Sequence, residues 1–142
     1  MVVAAERPSE KSETVSLDDG RTIDGKASLS PPKKGREVAI FGDTKACPQA
    51  VRTAQNTDVL AHEATFAAGN EKTAERVFHS TVSDAAKLAL QANVQQLYLT
   101  HISARYTEEG QRLMLKRQAQ TIFPASKVVG DFDVSISESV LF

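Results

Sequence analysis

Cysteine is nearly absent from this chain, with Cys47 the only one among 142 residues. A lone thiol allows no intrachain disulfide and no thiolate-rich zinc site, and Cys47 reads as inert. Long hydrophobic runs are missing too. No stretch approaches the roughly 18–20 apolar residues of a membrane span. The opening "MVVAAERPSEKSE" holds no continuous apolar segment of signal-peptide length. These absences lead to the expectation of a cytoplasmic protein with no membrane partner. Nor does charge of one sign dominate: 17 basic residues face 18 acidic ones, a net charge of −1. That balance gives no global pull toward nucleic acid or anionic lipid, although it leaves room for a local basic patch. Histidine is scarce as well, limited to His62, His79 and His101.

What is present is ordinary for one domain: 41% hydrophobic and 25% charged residues, in a chain long enough to bury a substantial core. Residues 1–16 read as a flexible polar tail and 17–142 as the folded part. "VSLDDGRTIDG" carries two Asp-Gly turn signals, at Asp19-Gly20 and Asp24-Gly25, around a short strand-like piece. "SPPKKG" predicts a stiff basic loop.

From Glu37 onward, strand and helix signals alternate. "EVAIF", "DVLAHE" and "QLYLT" are short apolar runs of buried-strand type. "CPQAVRTAQ" predicts a short helix with Pro48 in its first turn. A second helix is expected from "STVSDAAKLALQAN", capped by Ser80 or Thr81, with Asp84 in its first turn and an apolar stripe of Val82, Ala85, Ala86 and Ala89. "TEEGQRLMLKRQAQTIF" predicts a third helix that stops before Pro124, with "LKR" (Leu115–Arg117) on its solvated face. "SKVVGDFDVSI" closes the pattern with strand-like pieces. Strands separated by helices argue for an α/β fold with partly parallel strands.

Three strand ends run into polar residues. The first leads to Asp43 in "FGDT", the second to His62 and Glu63 in "HEATF", the third to His101 in "LTHIS". Parallel strands would gather these groups along one edge of the sheet, where α/β proteins commonly place their sites. Asp43 and His101 suit zinc, which accepts carboxylate oxygen and imidazole nitrogen, but two ligands do not complete a site. Glu63 beside His79 suggests another role: a carboxylate fixes an imidazole's tautomer and prepares it to donate a proton or hold a phosphate. Gly42 would let the backbone turn sharply and aim Asp43 at the sheet edge. Plainer readings stand beside these. An Asp after Gly also serves as a turn former, His62 on an apolar strand reads as a structural hydrogen-bonded residue, and His79 before Ser80-Thr81 reads equally as a helix-start residue.

Taken together, "GREVAIFGDTKAC", "TDVLAHEATF", "HSTVSDAAKLA", "LYLTHISARY" and "TIFPASKVVGDF" resemble the ribonuclease Z family, the tRNA 3′-processing endoribonucleases of metallo-β-lactamase fold. The resemblance runs from about Val15 to Ile136. It implies a four-layer α/β/β/α sandwich, of which this chain would supply half: one mixed sheet with flanking helices. It further implies that Asp43 bridges a pair of Zn2+ ions and that His101 ligates one of them. By the same resemblance His79 acts on the scissile phosphate or as proton donor, with Glu63 as its partner, and Arg105 of "SARY" helps with structure or phosphate. The activity implied is removal of the 3′ trailer of precursor tRNA by metal-hydroxide attack on the phosphodiester.

One departure is informative. The family's principal zinc motif, His-x-His-x-Asp-His, is absent, and the three histidines stand elsewhere. The chain therefore resembles the C-terminal half of such an enzyme, with two of its metal ligands. It is expected to be inactive alone and to partner precursor tRNA, a missing N-terminal half or complementary chain, and a second copy when intact. Two alternatives stay open: another phosphodiesterase of the same fold, and a catalytically dead remnant serving as an interaction module.

Overall fold

The computed structural model describes residues 15–23, 34–131 and 133. The chain folds as two compact units divided between Arg36 and Glu37. In the first, a two-stranded antiparallel hairpin joins β1 (Val15–Ser16) to β2 (Thr22–Ile23), with Val15 opposite Ile23. Its turn is the first of the two expected Asp-Gly turns. Gly20 sits at φ 83°, a left-handed conformation that costs glycine little, and its N–H donates to the Leu17 carbonyl. The Asp24-Gly25 turn, residues 1–14, the Pro31-Pro32 pair, Phe132 and the "VSI" segment (134–136) lie outside the described residues.

The second unit is built on four strands: β3 (Val38–Phe41), β4 (Val59–Glu63), β5 (Gln96–Thr100) and β6 (Ser126–Val128). They lie side by side in that order, each parallel to the next. The expected α/β fold, a sheet with flanking helices, is present, and the described strands of this sheet are parallel throughout. Its helices are α1 (Pro48–Thr53), α2 (Glu71–Arg76), α3 (Val82–Gln91) and α4 (Glu109–Gln120).

Local chemistry explains most boundaries. Pro48 opens α1, where a missing N–H costs nothing. Thr81 caps α3 in a reciprocal box with Asp84: the Asp84 N–H donates to the Thr81 hydroxyl, and the Thr81 N–H donates to the Asp84 carboxylate. All four residues of the expected α3 stripe are buried. Helix α4 ends short of Pro124 as expected, but Leu115 is not on its solvated face. Leu115 is fully buried and packs with Ala119 and Phe123, leaving only Lys116 and Arg117 exposed. The spacing of four residues between Leu115 and Ala119 puts both on one helical face. Helix α2 was not legible beforehand, because "EKTAER" has one buried residue, Ala74, and no apolar period.

The core lies between one face of the sheet and the helices. Ala39, Leu60, Leu97 and Leu99 meet Val82, Ala85, Ala86 and Ala89 of α3 and Leu115 of α4. Alanine dominates α3, so the helix can lie close to the strands. Truncating a filled position such as Leu97 or Leu99 to Ala would cost about 2–5 kcal/mol. The alternate strand positions are more open, with Ile40 at 62% exposure. No helix among the described residues is long and apolar enough to cross a membrane.

Candidate functional site

Parallel pairing in register decides where the polar strand ends go. Phe41 lies opposite His62, and Glu63 opposite Thr100. The residues that follow β3 and β5, and the last residue of β4, therefore share one sheet edge, as the sequence pattern anticipates. Asp43 comes two residues after β3, Glu63 closes β4, His101 follows β5, and His79 arrives from the segment before α3.

Glu63 is the anchor. It is fully buried, a position a carboxylate tolerates only when hydrogen-bonded. Its Oε1 accepts from His79 Nδ1 at 2.8 Å, the Ser80 N–H at 3.0 Å and the Thr44 N–H at 3.3 Å. Its Oε2 accepts from the Thr65 N–H at 2.9 Å and the Thr65 hydroxyl at 3.0 Å. Thr65 Oγ1 also lies 3.3 Å from His79 Nδ1. A carboxylate can only accept, so His79 carries its proton on Nδ1 toward Glu63 and turns Nε2 to other tasks. The plain reading of His79 as a helix-start residue does not hold, since Thr81 fills the cap.

The His79 ring stacks on His101, with centroids 5.6 Å apart and planes 15° from parallel, and meets Phe66 edge-on. His101 Nδ1 in turn lies 3.3 Å from Asp43 Oδ1, and both side chains are largely exposed. Four of the sequence-derived candidates thus form one chain of contacts: Glu63, His79, His101, Asp43. A small cavity of about 140 Å³ adjoins His79, lined also by Lys45, Ala46, Glu71, Glu75 and Asp84. The Lys45 ammonium pairs with Glu75 at 2.6 Å and holds that carboxyl below its usual range.

Other candidates fall differently. His62 is fully buried on the helix side of β4, beside the Phe41 ring. Its Nδ1 donates to the Glu63 carbonyl at 2.6 Å, and its Nε2 has no hydrogen-bond partner among the described residues. Burial pushes its imidazole below the ordinary histidine range, so the ring stays neutral; the Glu63 carbonyl and the Glu63 and Asp84 charges oppose this more weakly. That is the structural histidine expected, with one nitrogen unsatisfied. Arg105 is exposed, and its backbone N–H donates to the Ser103 hydroxyl. Among the described residues its guanidinium makes no ion pair with the site. Gly42 does not play the part expected of it. Its φ is not positive, and a Cβ there would meet nothing within 4 Å, so the turn to Asp43 does not need glycine.

Sequence reasoning overlooked three contributors. Thr65 and Ser80 stand inside the "HEAT" and "HST" stretches, where their hydroxyls beside a histidine and an acid were the available signal. The third is backbone: Phe78 at φ 60° and His101 at φ 51° hold left-handed conformations. Such strain in residues other than glycine costs on the order of 1–3 kcal/mol and clusters at functional sites. No residue pattern announces it.

For a metal, the donors are right in kind and few in number. A carboxylate oxygen and an imidazole nitrogen within 3.3 Å of each other are zinc-type ligands. No cluster of three or more His, Cys, Asp or Glu suited to an ion occurs among the described residues. Asp43 and His101 fit as part of a donor set whose remainder would come from elsewhere.

Comparison with known proteins bears on the family and the fold. The family model described as "Beta-lactamase superfamily domain" matches residues 12–102. Ribonuclease Z of Lactiplantibacillus plantarum is 53% identical over 121 residues, 85% of this chain and 39% of that protein. Ribonuclease Z of Bacillus velezensis is 48% identical over 130 residues, 91% of this chain and 42% of that protein. The chain thus spans about two fifths of the length of the curated relatives it matches. Among solved structures, the short form of human tRNase Z superimposes with a TM-score of 0.53 at 27% identity, over 82% of this chain and 37% of that one. The metallo-beta-lactamase fold protein YhfI from Bacillus subtilis superimposes with a TM-score of 0.58 at 21% identity, over 67% and 37% of the two chains, which speaks for the fold alone. The chain belongs to the beta-lactamase superfamily, and within it to the ribonuclease Z family.

Proposed function

We propose that this chain supplies the acid–base side of a zinc-dependent endoribonuclease that removes the 3′ trailer of precursor tRNA, as the C-terminal part of that enzyme. The observation that carries this reading is the continuous array of Glu63, His79, His101 and Asp43 along one sheet edge. Glu63 accepts a hydrogen bond from His79 Nδ1 and so aims Nε2 outward. There the ring, carrying a second proton on Nε2 as the imidazolium, meets the scissile phosphate or gives that proton to the departing ribose oxygen. Asp43 and His101 would hold zinc, which activates water and offsets charge on the phosphate. With two donors in hand, the isolated chain lacks a full metal set and does not cleave. The rest of the site, on this reading, comes from an N-terminal half that carries the other ligands. The setting proposed is the cytoplasm, where precursor tRNA is processed.

The test mixes the chain with the N-terminal part of a ribonuclease Z and assays precursor tRNA with zinc. The expected result is cleavage by the mixture, none by either part alone, and loss of at least about 100-fold on His79→Ala, the usual scale for a proton-transfer group. Zinc-dependent cleavage by the isolated chain would overturn its incompleteness. An associated pair that cuts small phosphodiesters but not precursor tRNA would point to another phosphodiesterase of this fold. An associated pair that binds no zinc would point to a dead remnant.

A further inference from the structure

Asp43 is exposed, follows a strand by two residues and, among the described residues, has His101 as its one side-chain partner, yet the loop that carries it is not loose. Thr44 and Ala46, just beyond Asp43, are both tied down. The Thr44 N–H donates to Glu63 Oε1 at 3.3 Å. The hydroxyl of Ser80 donates to the Thr44 carbonyl at 2.9 Å and accepts from the Ala46 N–H at 3.0 Å. Ser80 itself is fully buried, and its own N–H donates to Glu63. One hydroxyl therefore grips both ends of a three-residue segment, from a point already fixed beside His79.

We propose that Ser80 is a positioning residue for Asp43: its buried hydroxyl clamps Thr44 and Ala46 so that the neighbouring carboxylate is held against His101. The clamp links the two parts of the site. Ser80 follows His79 directly, so the segment that presents the imidazole also sets the loop that presents the carboxylate. Thr81, one residue on, does the capping of α3, which leaves Ser80 free for this task. The functional meaning of the clamp rests on Asp43 and His101 as metal ligands; the clamp itself rests on the hydrogen bonds.

Amide hydrogen exchange and zinc-dependent NMR shifts, measured on the chain itself, separate those two layers. In Ser80→Ala the Ala46 amide loses its acceptor directly. The more telling signal is the Thr44 amide, whose acceptor Glu63 is untouched. It should exchange roughly fivefold to tenfold faster, the effect of losing about one hydrogen bond, while Leu60 and His62 amides in β4 keep their rates. The zinc concentration that shifts the Asp43 and His101 signals should rise several-fold. Ser80→Thr, which keeps the hydroxyl, should restore both readouts. A folded Ser80→Ala with an unchanged Thr44 amide overturns the proposal, as does acceleration spread evenly over β4. Should Ser80→Ala not fold, Ser80→Cys keeps a similar volume with a weaker bond and is judged by the same signals. If the wild-type Asp43 and His101 signals ignore zinc in the chain alone, the zinc titration is read on the pair reassembled with an N-terminal half. Signals that ignore zinc there too overturn the metal reading, and the exchange rates then decide the clamp.

Discussion

The two acid–imidazole pairs at the sheet edge are built to different standards. Glu63 and His79 meet at 2.8 Å, with the carboxylate fully buried and taking five hydrogen bonds from four residues. Asp43 and His101 meet at 3.3 Å, with side chains 65% and 46% exposed. A buried pair this well supplied is held in one geometry by the fold around it. An exposed pair adds little to stability, and its order must come from elsewhere. The contrast teaches that the Glu63–His79 pair is fully supported within this chain, whereas the Asp43–His101 pair is not. On the proposed function the first handles the proton and the second would need further donors to hold a metal.

The harshest way to break the finished pair is Glu63→Ala. It strands the N–H groups of Thr44, Thr65 and Ser80 and the Nδ1 of His79. A cost of about 3–5 kcal/mol is expected, as for a buried charged network with one partner removed. Urea denaturation would show it as a lower midpoint, and Glu63→Gln, which keeps acceptor capacity at one atom, should lose clearly less.

Next in size is a pH effect from His62, the buried ring directly before Glu63. Its imidazole lies below its ordinary range because burial penalises the charged form. The unfolded chain therefore takes up a proton that the folded chain refuses, and stability falls as pH drops below the free-histidine value of about 6.5. The loss continues until the folded value is reached and then levels off. Thermal melts across this window should show that decline, and His62→Gln should flatten it. A wild-type curve without the decline would mean that the ring protonates freely and is not sealed in the core.

Legibility in the sequence divided along physical lines. The strand ends were readable because short apolar runs stop abruptly at Asp43, Glu63 and His101, and parallel pairing follows from the intervening helices. Helix α3 was readable from Thr81, Asp84 and its alanine stripe. Helix α2 was not, since tertiary contacts rather than an apolar period hold six mostly polar residues. Leu115 was misplaced because its charged neighbours drew attention from its spacing to Ala119. The meeting of His79 with Glu63 was suggested by the chemistry of a carboxylate and an imidazole and implied again by the family resemblance, whereas the sixteen-residue spacing alone does not encode it. Thr65 and Ser80 escaped because a hydroxyl's partner is settled by tertiary placement, which spacing does not encode.

The open pair should respond in the opposite sense to the closed one. Asp43→Asn removes a mostly exposed carboxylate with one contact at 3.3 Å, so stability should move by no more than about 0.5 kcal/mol. Zinc-induced shifts at His101 should nevertheless disappear, because an amide oxygen is a poor substitute for a charged ligand. A large loss of stability here would erase the distinction between the two pairs.

The smallest effect expected is at Gly42, and it tests what holds Asp43 in place. If glycine's backbone freedom set the turn, Gly42→Ala would strain the loop and displace the carboxylate. The structure shows ordinary φ and no atom within 4 Å of an added Cβ. Gly42→Ala should therefore leave the denaturation midpoint nearly unchanged, within about 0.5 kcal/mol, with any gain arising from reduced freedom in the unfolded chain. The Thr44 and Ala46 amides should keep their exchange rates, since Glu63 and Ser80 still hold them. The same substitution in the reassembled enzyme asks a separate question. A drop in tRNA cleavage there, with stability intact, would show that the open space beside Gly42 is kept for something the isolated chain does not contain. Equal activity would leave the clamp on Thr44 and Ala46 as sufficient to place Asp43.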